Sequence, residues 1–148
     1  MSDSITKDVF IAAPVARVWQ ALTDHHEFGQ WFGVALDGPF AAGTPSTGHM
    51  TIKGYEHIAW NADVITMEPT HRFAYRWRPY ALDPNVDYSA EPKTLVEFTL
   101  SEENEGTRLI VTESGFNGIP AHRRDEAYRM NNRGWTAQVE NIRTHVEN

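Results

Sequence analysis

The chain has 148 residues, no cysteine and a formal charge of -7, the usual size of one domain and long enough to bury a core without disulfides or metals. The missing cysteines exclude disulfides, thiolate metal ligands and thiol catalysis, and fit a reducing, cytoplasmic compartment. The negative charge argues against a nucleic-acid partner, no stretch reaches the roughly 18 apolar residues of a membrane span, and the acidic start lacks the basic-then-apolar order of a signal peptide.

Residues 5–12 alternate, with Ile5, Lys7, Val9 and Ile11 on one face, and read as a strand ended by Pro14. Val15, Val18, Trp19 and Leu22 follow at helical spacing and predict a short amphipathic helix. Asp24 with Glu27 three residues later forms a capping-box pattern, and Phe28, Trp31 and Phe32 give the second short helix its apolar side. From 34 to 116 the pattern becomes an antiparallel meander, with strands expected at 34–37, 48–54, 58–67, 72–78, 94–101 and 107–114. Phe73, Tyr75 and Trp77 share one face of the fourth of these, opposite Arg72, Arg76 and Arg78. Val96, Phe98 and Leu100 repeat that parity, as do Leu109 and Val111, with Asn104-Glu105-Gly106 as the turn between them. The adjacent Val64 and Ile65 mark either a bulge or burial on both faces. Residues 121–147 return to helical period, and Tyr128, Trp135, Val139, Ile142 and Val146 form a stripe that needs the aromatic face of the sheet as its partner.

Glu113 is the first candidate for chemistry. Counting by twos from Leu109 and Val111 aims its carboxylate inward, where an isolated charge costs several kcal/mol unless paired or protonated. It either twists into water or pairs with an Arg, or it anchors a ligand, or it serves as a general base. Asn131 and Asn132 lie four and three residues before Trp135, so one of them points towards the same side, as a link to the sheet or as a ligand contact. Gly134 inside a helix costs about 1 kcal/mol relative to Ala, and close approach of a neighbour is the plain explanation. The seven histidines show no HxxxH or HExxH spacing, and neither a GxSxG elbow nor a Gly-rich phosphate loop is present. No metal and no cofactor are expected.

Three stretches carry a resemblance to a known family. They are Ile-Ala-Ala-Pro-Val-Ala-Arg-Val-Trp-Gln-Ala-Leu-Thr-Asp at 11–24 with Trp31-Phe32, then Met67-Glu68-Pro69 leading to Tyr75-Arg76-Trp77. The third runs from Gly106-Thr107-Arg108-Leu109 through Thr112-Glu113-Ser114-Gly115-Phe116 to Gly134-Trp135 with Val139, Ile142, Val146 and Glu147. Over essentially its whole length the chain resembles the START-like helix-grip proteins, in the branch named for the activator of heat-shock-protein-ninety ATPase. The resemblance implies a single α+β helix-grip domain over residues 1–148. In it a curved antiparallel sheet of six or seven strands wraps a long C-terminal helix, with two short helices after the first strand and a cavity between helix and sheet. Segment 79–92 is longer and richer in proline and tyrosine than that family's usual hairpin connection, and is expected over or beside the pocket mouth.

Relatives include co-chaperone domains, polyketide-cyclase-like enzymes and small proteins whose ligand is unknown, so three functions stay open. The first is binding of a small hydrophobic or aromatic molecule, lined by Trp31, Phe32, Phe73, Tyr75, Trp77, Phe98, Glu113, Tyr128, Asn132 and Trp135. The second is a protein-partner domain, and the third a cyclase- or hydrolase-like enzyme in which Glu113 would be the catalytic group. The same aromatic residues are also the natural core. A monomer or a homodimer is expected.

Overall fold

The structure, a computed structural model, describes residues 3–148. Strand β1 (Ser4–Ile11) leads into helices α1 (Val15–Thr23) and α2 (His25–Phe32). Strands β2 (Val34–Leu36), β3 (Pro45–Met50), β4 (Ala59–Glu68), β5 (Arg72–Trp77), β6 (Thr94–Glu103) and β7 (Gly106–Ser114) follow, and helix α3 (Ala121–Glu147) closes the chain. The strands form one antiparallel, curved sheet in the order β1-β7-β6-β5-β4-β3-β2. Its inner face is packed by α3, which at 27 residues runs about 40 Å.

Local chemistry explains the joints. Asp24 ends α1 by donating its N–H to Gln20 O, and caps α2 by accepting from the N–H groups of His26 and Glu27, each at 3.0 Å. The reciprocal half of the capping box is absent. Glu27 turns its carboxylate to Arg17 Nη1 at 2.7 Å and His145 Nε2 at 2.9 Å, so that one side chain ties α1, α2 and the end of α3 together. The register of β4 against β5 shifts between Val64 and Thr66, which makes Ile65 a bulged, exposed residue and resolves the ambiguity of that pair. In the β6–β7 hairpin Asn104 and Glu105 both take positive φ, 47° and 66°, as a two-residue type I′ loop requires. Gly106 has a different reason to be glycine, because a Cβ there would lie 2.6 Å from Ile11 O.

Two expectations need correcting. The strand expected at 48–54 is β3 at Pro45–Met50, and residues 51–58 form exposed turns. Gly48 looked like a strand boundary, but it lies within the strand, where β2 approaches so closely that a Cβ would sit 2.2 Å from Ala35 O. Gly134 has no close neighbour outside the adjoining backbone of its own helix: a Cβ built on it would meet nothing else within 4 Å.

Candidate functional site

One row of paired residues crosses the inner face from Val64 through Tyr75, Val96 and Glu113 to Ile5. Four of the five are apolar or aromatic and all five are buried, so the carboxylate of Glu113, with 0% exposure, stands within the core. What makes this tolerable is a set of four donors from three elements. Trp77 Nε1 of β5 and Thr94 Oγ1 of β6 donate to Oε2 at 2.7 and 2.6 Å, and Asn131 Nδ2 and Trp135 Nε1 of α3 donate to Oε1 at 2.9 and 2.8 Å. An ionised carboxylate offers about four lone-pair positions, and all are used here. The carboxylate thereby joins two indoles, an amide and a hydroxyl from β5, β6 and α3.

The Tyr75 hydroxyl, in the same row, has no hydrogen-bond partner among the described residues. Burial pushes its phenol well above the usual value, and the charge of Glu113 pushes it further. The hydroxyl therefore stays protonated.

Aromatic rings fill the space between α3 and the centre of the sheet. Trp135 packs on Phe98, Trp77 and Phe32 at centroid distances of 5.8, 6.1 and 6.3 Å, and Trp60 meets Phe32 at 5.3 Å. The open space lies at one end of this layer, as a cleft of about 280 Å³. It is lined by Phe32, Trp60 and Trp77, by Met50 of β3 and Asn61 of β4, by Asn131 and Gln138 of α3, by Ile52 and Tyr55 of the 51–58 turns, and by Arg78, Tyr80 and Leu82. A second cavity of about 370 Å³ adjoins it, the two sharing Ile58, Ala59, Asn61, Arg78, Ala81 and Leu82.

That segment is held down. Arg123 of α3 reaches Glu91 from Nε at 2.8 Å, donates from Nη1 to Pro79 O and Tyr80 O at 3.0 and 3.2 Å, and stacks over Tyr88 at 4.9 Å. Arg78 adds bonds to Ser89 O and Glu91 O at 2.9 and 3.3 Å.

Of the residues singled out from sequence, Phe32 and Trp77 border the cleft, and together with Trp135 they border a smaller chamber of about 100 Å³ that shares walls with it. Trp31 borders only an outer groove between α2 and α3, and Phe73, Tyr75 and Phe98 are core residues that line none of these spaces. Glu113 sits beneath the wall. Tyr128 packs on Phe116 and donates to Ser4 O, away from the cleft. Asn131, rather than Asn132, faces Glu113, while the backbone carbonyl of Asn132 accepts from Thr136 Oγ1. Parity says which face a residue is on but not how deep along that face, which is why core and cleft aromatics look alike in sequence. Trp60 and Gln138 were missed, although Trp60 alternates with Ala62 and Val64, and Gln138 stands three residues from Trp135 and four from Ile142.

A curved antiparallel sheet gripped by a long C-terminal helix, with a cleft at the end the two share, defines the helix-grip class. The chain belongs to the family described as Activator of Hsp90 ATPase homolog 1-like protein, whose pattern matches residues 12–147. Among solved structures it is similar to DynU16, a putative protein in the dynemicin biosynthetic locus, at 26% identity and a TM-score of 0.75, covering 99% of this chain but 48% of that one. It is also similar to protein MLL2253 from Mesorhizobium loti (24%, TM-score 0.75, covering 97% and 96%) and to the Aha1 dimer from Colwellia psychrerythraea (18%, TM-score 0.72, covering 99% and 97%). A search of the curated proteins finds no match. No helix among the described residues is long and apolar enough to cross a membrane.

Proposed function

We propose that the chain binds a small, flat, largely apolar molecule in the cleft between α3, β4, β5 and the 51–58 turns. The observation that carries this reading is the cleft itself: about 280 Å³, lined mainly by apolar and aromatic side chains such as Phe32, Trp60 and Trp77, with Asn61, Arg78, Asn131 and Gln138 as its polar contributors. That volume falls just below the roughly 300–1,000 Å³ of drug-sized sites, so one or two fused rings fit. The full commitment of Glu113 to four protein donors counts against the enzyme reading, which had no other candidate base.

A protein partner is the second reading, favoured by exposed apolar side chains at Ile52, Tyr55 and Val86 (46%, 49% and 46%). Those residues rim the cleft and its neighbouring cavity, so a ligand that covers them accounts for them equally well. Native mass spectrometry of gently purified protein tests the choice. A bound small molecule supports the first reading; a bare chain that also fails to take up any aromatic compound at millimolar concentration overturns it. The same spectrum counts subunits, one or two being expected. A reducing cytoplasm is the compartment proposed from the absence of cysteine.

A further inference from the structure

Gly134 occupies the middle of α3, and the usual reasons for a glycine are missing there. Its φ is not positive, and apart from its chain neighbours and the adjoining backbone of α3 itself nothing lies within 4 Å of where its Cβ would be. A side chain would be tolerated and would favour the helix. What the missing side chain leaves is space. Gly134 borders a side chamber of about 100 Å³, whose other walls are Phe32, Trp77, Asn131, Trp135 and Gln138. Phe32, Trp77, Asn131 and Gln138 also line the main cleft, so the chamber extends it. On its outer side Gly134 borders the open groove between α2 and α3, making it a gap in the side-chain wall of α3.

Among the described residues, one side-chain polar atom that lines this chamber accepts and donates no hydrogen bond, although Gln138 keeps a second N–H and a second lone pair. Trp77 and Trp135 each carry a single N–H, and both are given to Glu113. Gln138 donates to Phe32 O and accepts from Asn141. Asn131 must turn its NH2 towards the carboxylate, since Glu113 can only accept, which leaves Asn131 Oδ1 uncommitted among the described residues.

From this geometry we infer that the side chamber takes the ring of an aromatic molecule bearing a hydrogen-bond donor, N–H or O–H, on the ring itself, with the ring beside Gly134 and the donor on Asn131 Oδ1. The inference rests on the ligand-binding reading and adds to it a class of ligand and a residue that sets its depth. An aromatic ring is the body that suits walls made of two indole rings and a phenyl ring. The donor follows from an amide oxygen that would otherwise be covered by carbon at a cost in affinity.

The test changes the ligand first, because replacing Asn131 would also strip a donor from Glu113. Indole and indene have the same shape, and only indole has the N–H. Titration of 15N-labelled protein with each, read at the Trp77 and Trp135 indole resonances, should give indole an affinity roughly threefold to tenfold higher, the worth of about one hydrogen bond. Gly134→Leu, which fills the gap, should lose both probes at least about tenfold while its Tm stays level or rises, since leucine favours a helix over glycine. Gly134→Gln, of similar reach, serves should leucine reduce solubility. Equal binding of the two probes, or tighter binding of indene, overturns the donor assignment. Binding unchanged in both Gly134 variants overturns the chamber and leaves the cleft reading standing. Failure of both probes to bind the wild-type chain removes the cleft reading along with it.

Discussion

Each oxygen of Glu113 accepts from two donors, and that arithmetic governs what a substitution there does. Glu113→Gln replaces one oxygen with an NH2 group facing two donors, and a stranded buried donor costs about 1–3 kcal/mol. Urea unfolding should show a loss of about 2–4 kcal/mol; a variant as stable as the wild type would show that the four-donor arrangement is not the one in solution. Tyr75→Phe should go the other way. Removing a hydroxyl without a partner should leave stability unchanged or raise it by about 1 kcal/mol, and a loss beyond that would reveal a partner for the oxygen. The inward direction of Glu113 was legible from strand parity alone. Its donors were not, because Trp77, Thr94 and the Asn131–Trp135 pair come from β5, β6 and α3, and no sequence period links a helix position to a strand position. The same limit explains Asn131 and Asn132: both sit within one turn of Trp135, and only the packing angle of α3 decides which faces inward.

At the scale of elements, α3 and the 79–92 segment behave differently under substitution. The apolar stripe of α3 was readable from its period, and Ile142 is buried as expected, with Val139 only partly so. Ile142→Asp should therefore cost several kcal/mol, about 3–5, by placing an unpaired charge in the seam; an unchanged Tm would show that this face is free. The position of 79–92 beside the cleft was legible from its length and composition, but its anchoring was not, since Arg123 lies 32 residues from Glu91 in sequence. Arg123→Met removes the guanidinium shared by Glu91, Pro79 O, Tyr80 O and Tyr88. Limited proteolysis should then cut within 79–92 much faster than in the wild type, with only a modest fall in Tm, because the sheet and core do not depend on the contact. Equal cleavage rates would mean that the segment is held by its own turns.

For the molecule as a whole, Glu27 couples three helices and gives stability a pH dependence of known sign. Burial acts to raise its carboxyl, but hydrogen bonds from His145 and Arg17 outweigh that and hold it below its ordinary value of 4.5. A carboxylate lowered in the folded state contributes stability above its unfolded value and loses it as pH falls through the lower, folded one. Glu27→Gln should thus be less stable than the wild type near about pH 7, with the gap shrinking as the pH drops below about 4.5; a gap constant down to about pH 3 would assign the loss to shape instead of charge. The fold class was legible end to end because every layer has its own period. The cleft was not, since its walls join the end of α2, the 51–58 turns, three strands, the 79–92 segment and α3. A shift titration of 15N-labelled wild-type chain with indole probes that join directly. Saturable shifts centred on Phe32, Trp77, Asn131, Trp135 and Gln138 are the predicted result; saturable shifts confined to the outer face near Ile65 and Thr99, or none that saturate, would contradict it.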